Sequence, residues 1–123
     1  MIETPVVSIV DDDESIRQAL DGLLRSTGLQ AAAFGSVEEF LRSGQLATTG
    51  CLILDLRMPG MDGLELQEWL VAEGRRLPII VLTAHGDDRA RSRALAAGAL
   101  TFLSKPFDTD VLLGAVNAAL GPR

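Results

Sequence analysis

Short apolar runs alternate along the chain with longer segments in which apolar residues recur every three or four positions. A short apolar run between turn residues is typical of a strand that is buried on both faces. We therefore predict strands over residues 6–10, 29–34, 51–54, 78–82 and 100–103. The second of these runs is rich in alanine and has the weakest pattern.

The segments between the strands have the 3.6-residue apolar period of amphipathic helices. Ser36, with Glu39 three residues later, matches a capping box, and Asp108 is a candidate cap for the last helix. Glycine follows several of the segments and is typical of a helix stop. We predict helices over residues 15–27, 37 to about 41, 64–73, 87 or 88 to 97, and 109 to about 120, with residues 43–50 as a polar loop.

The same period predicts which helix faces turn toward the core. In the third helix the inward residues are Leu66, Trp69 and Leu70. In the last helix the predicted apolar face consists of Val111, Leu112, Ala115, Val116 and Leu120. The fourth helix has only a thin apolar stripe. Its arginines form either a solvated face or a partner surface, and they are Arg89, Arg91 and Arg93.

Strand and helix alternate five times, which predicts a single α/β domain over residues 1–123. Strict alternation favours a doubly wound parallel sheet with right-handed crossovers and helices on both faces. The chain is 47% hydrophobic but only 4% aromatic, so aliphatic side chains must build the core.

The charge balance narrows the classes of partner. A net charge of -6 argues against binding nucleic acids or anionic membranes through charge alone. The single cysteine, Cys51, lies in a predicted buried strand, so we expect a core residue rather than a disulfide or a reactive thiol. No basic leader and no membrane-length apolar run is present, which predicts a cytoplasmic domain.

Polar side chains follow the ends of four predicted strands. Asp11 and Asp12 follow the first strand, Asp55 the third, Thr83 the fourth and Lys105 the fifth. The carboxyl ends of parallel strands share one edge of a sheet, where ligands bind. Several carboxylates that meet there repel each other unless a cation neutralises them. Carboxylate oxygens favour Mg²⁺ or Mn²⁺ over zinc.

Asp55 is the best placed of these groups for chemistry. An aspartate can act as a covalent nucleophile toward phosphorus and form an aspartyl phosphate. Phosphoryl transfer requires cations on the phosphoryl oxygens, which a divalent ion and Lys105 would provide. The hydroxyl of Thr83 would donate to another oxygen.

Four motifs resemble the receiver domain of two-component response regulators, and the resemblance spans essentially the whole chain. They are Val10-Asp11-Asp12-Asp13, Leu54-Asp55-Leu56-Arg57-Met58-Pro59-Gly60-Met61-Asp62-Gly63, Leu82-Thr83-Ala84-His85 and Phe102-Leu103-Ser104-Lys105-Pro106-Phe107. The segments 57–59 and 85–87 look most like the FixJ-type branch of the family. The resemblance implies a flavodoxin-like (βα)5 fold with strand order 2-1-3-4-5.

The resemblance also implies roles for the acidic residues. Asp55 would be the phosphoacceptor, which takes its phosphoryl group from a phosphohistidine of a sensor kinase or a phosphotransfer protein. Asp12, Asp55 and the backbone carbonyl of Arg57 would bind Mg²⁺ or Mn²⁺, and Asp11 would take part directly or through water. Lys105 would bind the phosphoryl group.

A switch is implied by the same resemblance. Thr83 would move toward the phosphoryl group, and Phe102, at a position where the family often has tyrosine, would turn inward by packing alone. This would reshape the surface around the fourth helix, the fifth strand and the fifth helix, which could also serve a homodimer or an output domain. The bond between Lys105 and Pro106 is expected to be cis.

Two other functions and one simpler interpretation stay open at this point. The chain could be a pseudo-receiver, an interaction module that has no phosphorylation cycle. A hydrolase of small phosphate esters would normally have a second aspartate at position 57, where this chain has arginine. Asp11, Asp12 and Asp13 could simply cap the first helix. No output domain is recognisable before the sequence stops at Arg123.

Overall fold

The strands and helices alternate as the apolar pattern predicts. The structure, a computed structural model, describes residues 5–58, 60–84 and 88–121. The strands are β1 Val6–Val10, β2 Gln30–Phe34, β3 Thr49–Leu54, β4 Ile79–Thr83 and β5 Thr101–Ser104. The helices are α1 Glu14–Ser26, α2 Val37–Ser43, α3 Gly63–Ala72, α4 Asp88–Ala96 and α5 Thr109–Leu120, with a short 3-10 helix at Gln45–Thr48.

The strands form one parallel sheet in the order β2-β1-β3-β4-β5 within the described residues. The predicted doubly wound fold and its strand order are therefore confirmed. Val10 pairs with Leu54 at the carboxyl ends of β1 and β3. Val81 of β4 pairs with Phe102 of β5, which is an edge strand of the sheet. This order brings the ends of β1 and β3 side by side.

Two apolar layers cover the faces of the sheet. One face packs against α2, α3 and α4 through buried residues that include Phe40, Leu66 and Ala94. The other packs against α1 and α5 through residues that include Leu20 and Leu112. Cys51 lies in this second layer with no exposed surface, and burial raises the pKa of its thiol to about 12. Its predicted place in the core is confirmed.

Side-chain hydrogen bonds cap the start of several helices. At α1 they show that Asp11, Asp12 and Asp13 have different roles. Asp13 alone caps α1, because its Oδ1 accepts the N–H groups of Ser15 at 2.9 Å and Ile16 at 3.4 Å. Asp108 caps α5 as predicted. Capping therefore explains Asp13 and leaves the two carboxylates before it for another purpose.

The capping box predicted at Ser36 is only half formed. Ser36 Oγ accepts the N–H of Glu39 at 3.0 Å, but the Glu39 carboxylate accepts the N–H of Gly35 instead of that of Ser36. The reciprocal box occurs at α3, between Asp62 and Glu65.

The predicted loop over residues 43–50 is wrong. The helix α2 continues to Ser43, a 3-10 helix follows, and β3 begins at Thr49 rather than at residue 51. β3 begins with polar Thr49 instead of an apolar residue. This residue fits at the start of the strand because its Oγ1 lies 2.7 Å from Oγ of Ser8, a polar residue of the neighbouring strand. The remaining predicted boundaries lie within one residue of the observed ones.

Two residues predicted to face the core do not do so fully. Trp69 is 37% exposed and Val111 is 53% exposed. In α3 the polar Gln67 takes the buried position, because its Nε2 donates to the main-chain oxygen of Ala94 at 3.0 Å. Its Oε1 has no partner among the described residues. Within the part of the chain that is described, every helix falls short of the length and apolar content that a membrane span needs.

Candidate functional site

The carboxyl ends of the strands bring the candidate residues to one edge of the sheet. Asp11 follows β1, Asp55 follows β3, Thr83 ends β4 and Lys105 follows β5. The main-chain N–H of Lys105 donates to the oxygen of Thr83 at 3.0 Å, which joins the ends of the last two strands. These four residues, which stand far apart in the sequence, therefore meet as the parallel sheet predicts.

Three carboxylates form an acidic cluster at this edge. One oxygen from each of Asp11, Asp12 and Asp55 lies within 4.8 Å of the others. Asp11 and Asp55 are buried, whereas Asp12 is exposed. The cluster is thus open to solvent on the side of Asp12.

Lys105 is the cation that the structure places against this cluster. Its Nζ lies 2.7 Å from Asp11 Oδ2 and 3.3 Å from Asp55 Oδ2, and its side chain is only 13% exposed. Burial alone would lower the pKa of Lys105, but the hydrogen bond to Asp11 and the charges of both carboxylates outweigh it, so the pKa is raised. The peptide bond between Lys105 and Pro106 is cis, as expected.

All four polar groups of Asp11 are bonded to the protein. Its N–H donates to Phe34 O at 3.1 Å, and its main-chain oxygen accepts from Arg17 Nη1 at 2.8 Å. Its carboxylate accepts from Asp13 N–H through Oδ1 and from Lys105 through Oδ2. Burial raises the pKa of Asp11 even though these two donors act against the rise. Asp11 is therefore held in place by the protein itself.

The backbone around Asp55 is fixed from both sides. Its N–H donates to Val10 O at 3.0 Å, and its Oδ1 accepts the N–H of Arg57 at 3.4 Å. Gly63, the first residue of α3, lies so close to the main-chain oxygen of Asp55 that a Cβ there would overlap it. The N–H of Gly63 also donates to Leu56 O at 3.0 Å. The loop after β3 thus closes tightly over the end of the strand.

Glu38 of α2 holds the outer part of this loop. Its Oε2 accepts the N–H of Met61 at 3.1 Å, and Gly60 lies against the same carboxylate. This backbone hydrogen bond is the main reason that the pKa of Glu38 is lowered. Nothing in the local sequence pattern predicts this contact, because the two residues are 23 positions apart.

Thr83 and Phe102 lie on the same face of the sheet. Phe102 pairs with Val81, and Thr83 is two positions further along β4, so the side chains of all three point to one side. Thr83 is fully buried, whereas Phe102 is partly buried against the layer formed with α2, α3 and α4. The two residues named for the switch are therefore neighbours. Pro59 and the segment 85–87, with His85 and the candidate cap Asp87, lie outside the described residues.

The charges at the site match a divalent cation. Among the described residues, the three carboxylates outnumber the one ammonium group that pairs with them. Oxygen ligands that are partly open to water suit Mg²⁺ or Mn²⁺. Asp12 and Asp55 are the more available ligands of the three. Asp12 is exposed, and the oxygens of Asp55 accept only long bonds, at 3.4 Å from Arg57 and 3.3 Å from Lys105, whereas those of Asp11 accept bonds of 2.9 and 2.7 Å.

The fold and the site define a flavodoxin-like α/β domain with an acidic pocket at the carboxyl edge of its sheet. The family described as the response regulator receiver domain matches residues 7–117. The chain therefore belongs to the response regulator receiver domains of two-component systems. Receiver domains are signalling domains rather than classical enzymes, and they generally bind Mg²⁺ through such an acidic pocket.

Named relatives agree with this assignment. Response regulator protein TmoT of Ectopseudomonas mendocina is 48% identical over 116 residues, which are 94% of this chain and 52% of that protein. Transcriptional regulatory protein FixJ of Azorhizobium caulinodans is 42% identical over 121 residues, which are 98% of this chain and 57% of that protein. The expected likeness to FixJ is thereby confirmed. The chain spans about half the length of these relatives.

Solved structures support the same fold. The crystal structure of a response regulator receiver protein from Pseudomonas putida is 34% identical and has a TM-score of 0.88. The match covers 96% of this chain and 99% of that one. A receiver domain of this size can thus form the whole of a crystallised chain.

Proposed function

We propose that this receiver domain is a phosphorylation-dependent switch in which Asp55 is the phosphoacceptor. A carboxylate oxygen of Asp55 attacks the phosphorus of a phosphohistidine on a sensor histidine kinase or a phosphotransfer protein. The new O–P bond replaces the N–P bond, and the imidazole nitrogen leaves with the electron pair. The observation that carries the proposal is that the Asp55 carboxylate lies within 4.8 Å of that of the exposed Asp12 and 3.3 Å from the ammonium group of Lys105.

We assign the metal ligands to Asp12, Asp55 and the main-chain carbonyl of Arg57, with Asp11 acting through water. A bound Mg²⁺ or Mn²⁺ supplies positive charge for the phosphoryl oxygens. A bond from the N–H of Arg57 to Asp55 Oδ1 supports this role, because it keeps the loop beside the carboxylate. Gly63 assists because only a glycine lets α3 start against the main-chain oxygen of Asp55.

Lys105 and Thr83 would act on the phosphoryl group after transfer. Lys105 would move its ammonium group from Asp11 and Asp55 onto a phosphoryl oxygen, since a phosphate bears more charge than a carboxylate. Thr83 would turn its hydroxyl to a second oxygen. Phe102, on the same face of the sheet, would then pack into the space beside Thr83. The same groups would later support the domain's own dephosphorylation.

The output of the switch would be a changed surface on α4, β5 and α5. This surface is suited to a bistable rearrangement, because Ala94 is the only residue of α4 that is buried among those described. The surface could bind a second copy of the domain or an output domain. Response regulators act with histidine kinases and output domains, and the relatives named here are about twice as long as this chain.

Residues 1–123 would form one receiver domain. Nucleic-acid binding would then be left to another part of a longer protein, because this domain has a net charge of -6. The cytoplasmic location stays a prediction from the sequence.

Incubation with acetyl phosphate and MgCl₂, followed by intact mass measurement, tests the assignment of Asp55. The wild-type protein should gain the mass of one phosphoryl group, and Asp55→Asn should not. Asp21→Asn is the matched control, because Asp21 lies on α1 and pairs with Arg25 away from the pocket. A mass gain that survives in Asp55→Asn would move the acceptor to another residue. No gain in the wild type would favour the pseudo-receiver alternative.

A further inference from the structure

The exposed carboxylate of Asp12 depends on the backbone for its position. Its side chain makes no hydrogen bond or ion pair with the part of the chain that the structure describes, unlike the side chains of Asp11 and Asp55. Whatever sets the orientation of the peptide group between Asp11 and Asp12 therefore sets where this carboxylate lies. A ligand that is not oriented in advance must be ordered when the metal binds, which costs affinity.

Arg17 of α1 binds the oxygen of that peptide group. Its Nη1 donates to the main-chain oxygen of Asp11 at 2.8 Å, and its own N–H donates to Asp13 O at 3.0 Å. The guanidinium group lies beside Gly35, where a Cβ would come within 3.4 Å of Nη1. On the other side of the same residue, Asp11 N–H donates to Phe34 O. The backbone before Asp12 is thus held from both sides.

We propose that Arg17 is a positioning residue that orients Asp12 as a metal ligand. The inference rests on the proposed function, because it takes Asp12 to be a ligand of Mg²⁺ or Mn²⁺. Arg17 would act only through the peptide oxygen of Asp11 and would touch neither the metal nor the phosphoryl group. Partners in this outer shell are known to tune metal affinity by orienting the ligands.

The charge of Arg17 has an effect of the opposite sign, which makes the proposal testable. A guanidinium group near the acidic cluster repels a cation, so its removal by itself would strengthen metal binding. Loss of positioning would weaken it. The direction of the change in affinity therefore shows which effect dominates.

Arg25 provides a matched control on the same helix. Its Nη2 donates to the main-chain oxygen of Ala31 at 2.8 Å, the same kind of bond at the same length. That bond ties α1 to β2 and lies outside the acidic loop. Arg25→Met therefore reports the cost of losing such a bond, together with the exposed ion pair to Asp21, without a change at Asp12.

Binding of Mn²⁺, measured from the loss of the electron paramagnetic resonance signal of the free ion, tests the proposal on the full chain. We expect Arg17→Met to weaken Mn²⁺ binding about tenfold and Arg25→Met to leave it unchanged. Arg17→Lys, which keeps the charge and a donor, should recover part of the affinity. It also serves as the test if Arg17→Met does not fold, because its affinity must still fall below that of the wild type.

Several outcomes would overturn the inference. Wild-type affinity or tighter binding in Arg17→Met would show that Arg17 acts through its charge or not at all. An equal loss in Arg25→Met would show a general effect of destabilised α1. If the wild type binds Mn²⁺ and Arg17→Met binds it with equal affinity, only the inference about Arg17 fails. If the wild type binds no Mn²⁺, the proposed metal site fails, and the inference fails with it.

Discussion

The ammonium group of Lys105 lies 2.7 Å from Oδ2 of Asp11, although 94 positions separate the two residues (105 − 11). Asp55 lies farther from the same ammonium group, at 3.3 Å. The principal partner of Lys105 is thus the carboxylate that also accepts the N–H of Asp13. The contact between Asp55 and Lys105 is therefore the weaker of the two ion pairs.

Lys105→Met should destabilise the protein when no divalent cation is present. The substitution leaves the two buried carboxylates without their paired ammonium group, and we expect the free energy of unfolding to fall by about 3 kcal/mol. Mg²⁺ should restore most of this loss, because it supplies the missing charge. Urea denaturation in EDTA and in MgCl₂ measures both values. Arg91→Met, which removes an exposed charge from α4, is the control and should change stability little.

A loss of the same size with and without Mg²⁺ would contradict this account. It would mean that Lys105 contributes by packing, and that its charge is not what the carboxylates need. The predicted recovery of stability in Mg²⁺ therefore tests whether Lys105 stabilises the protein through its two ion pairs.

Gly63→Ala should be destabilising, in contrast to the usual effect of alanine in a helix. The new Cβ would overlap the main-chain oxygen of Asp55, which is backbone and cannot move aside cheaply. We expect a loss of about 1–3 kcal/mol from this overpacking. Gly114→Ala in α5 is the control, because no described atom lies within 4 Å of its Cβ position. It should gain about 0.5–1 kcal/mol from helix propensity. Thermal unfolding that ranks the two variants in the reverse order would refute the contact.

The carboxylate of Glu38 should titrate below its usual pKa of 4.5. The charged form is favoured by the N–H of Met61, so the stability that this bond contributes is present above pH 4.5 and is lost as the pH falls through the lowered pKa. The amide chemical shift of Met61, followed by NMR as the pH is lowered, should report this midpoint. In Glu38→Gln the transition should disappear. A midpoint at or above 4.5 would show that the bond is absent in solution.

Gln67→Met should leave the protein as stable or make it more stable. The buried Oε1 of Gln67 has no partner among the described residues, and an orphan acceptor costs about 1–3 kcal/mol. The bond that is lost, to the oxygen of Ala94, is backed up by the N–H of Ala99, which donates to the same oxygen at 3.0 Å. We expect a gain of about 1 kcal/mol in urea denaturation, against little change for the exposed Gln18→Met. A clear loss would mean that the tie to α4 matters more than the orphan oxygen.

The order of strands and helices could be predicted because it depends on local pattern. A buried parallel strand needs an apolar run, and an amphipathic helix needs a 3.6-residue apolar period. Both patterns can be recognised from residues that are close together in the sequence. The convergence of Asp11, Asp55 and Lys105 could be predicted for a related reason. Each follows the end of a strand, and parallel strands present all of these ends at one edge.

Where local pattern was weak, the prediction failed. Trp69 was expected inside because it fits the apolar period of α3, but the buried stripe of this helix runs through Leu66, Gln67 and Leu70. Gln67 can be buried only because Ala94 of another helix offers its main-chain oxygen. The start of β3 was missed because Thr49 is polar and is held by Ser8 of the neighbouring strand.

The sequence by itself determined the fold, the edge of the sheet that carries the acidic groups and the identity of the groups that meet there. Only the tertiary structure decided which partners those groups take. Lys105 contacts Asp11 more closely than Asp55, Arg17 holds the peptide before Asp12, and Glu38 holds Met61. These choices depend on distances of a few ångströms between separate elements, which packing sets and which no local pattern encodes.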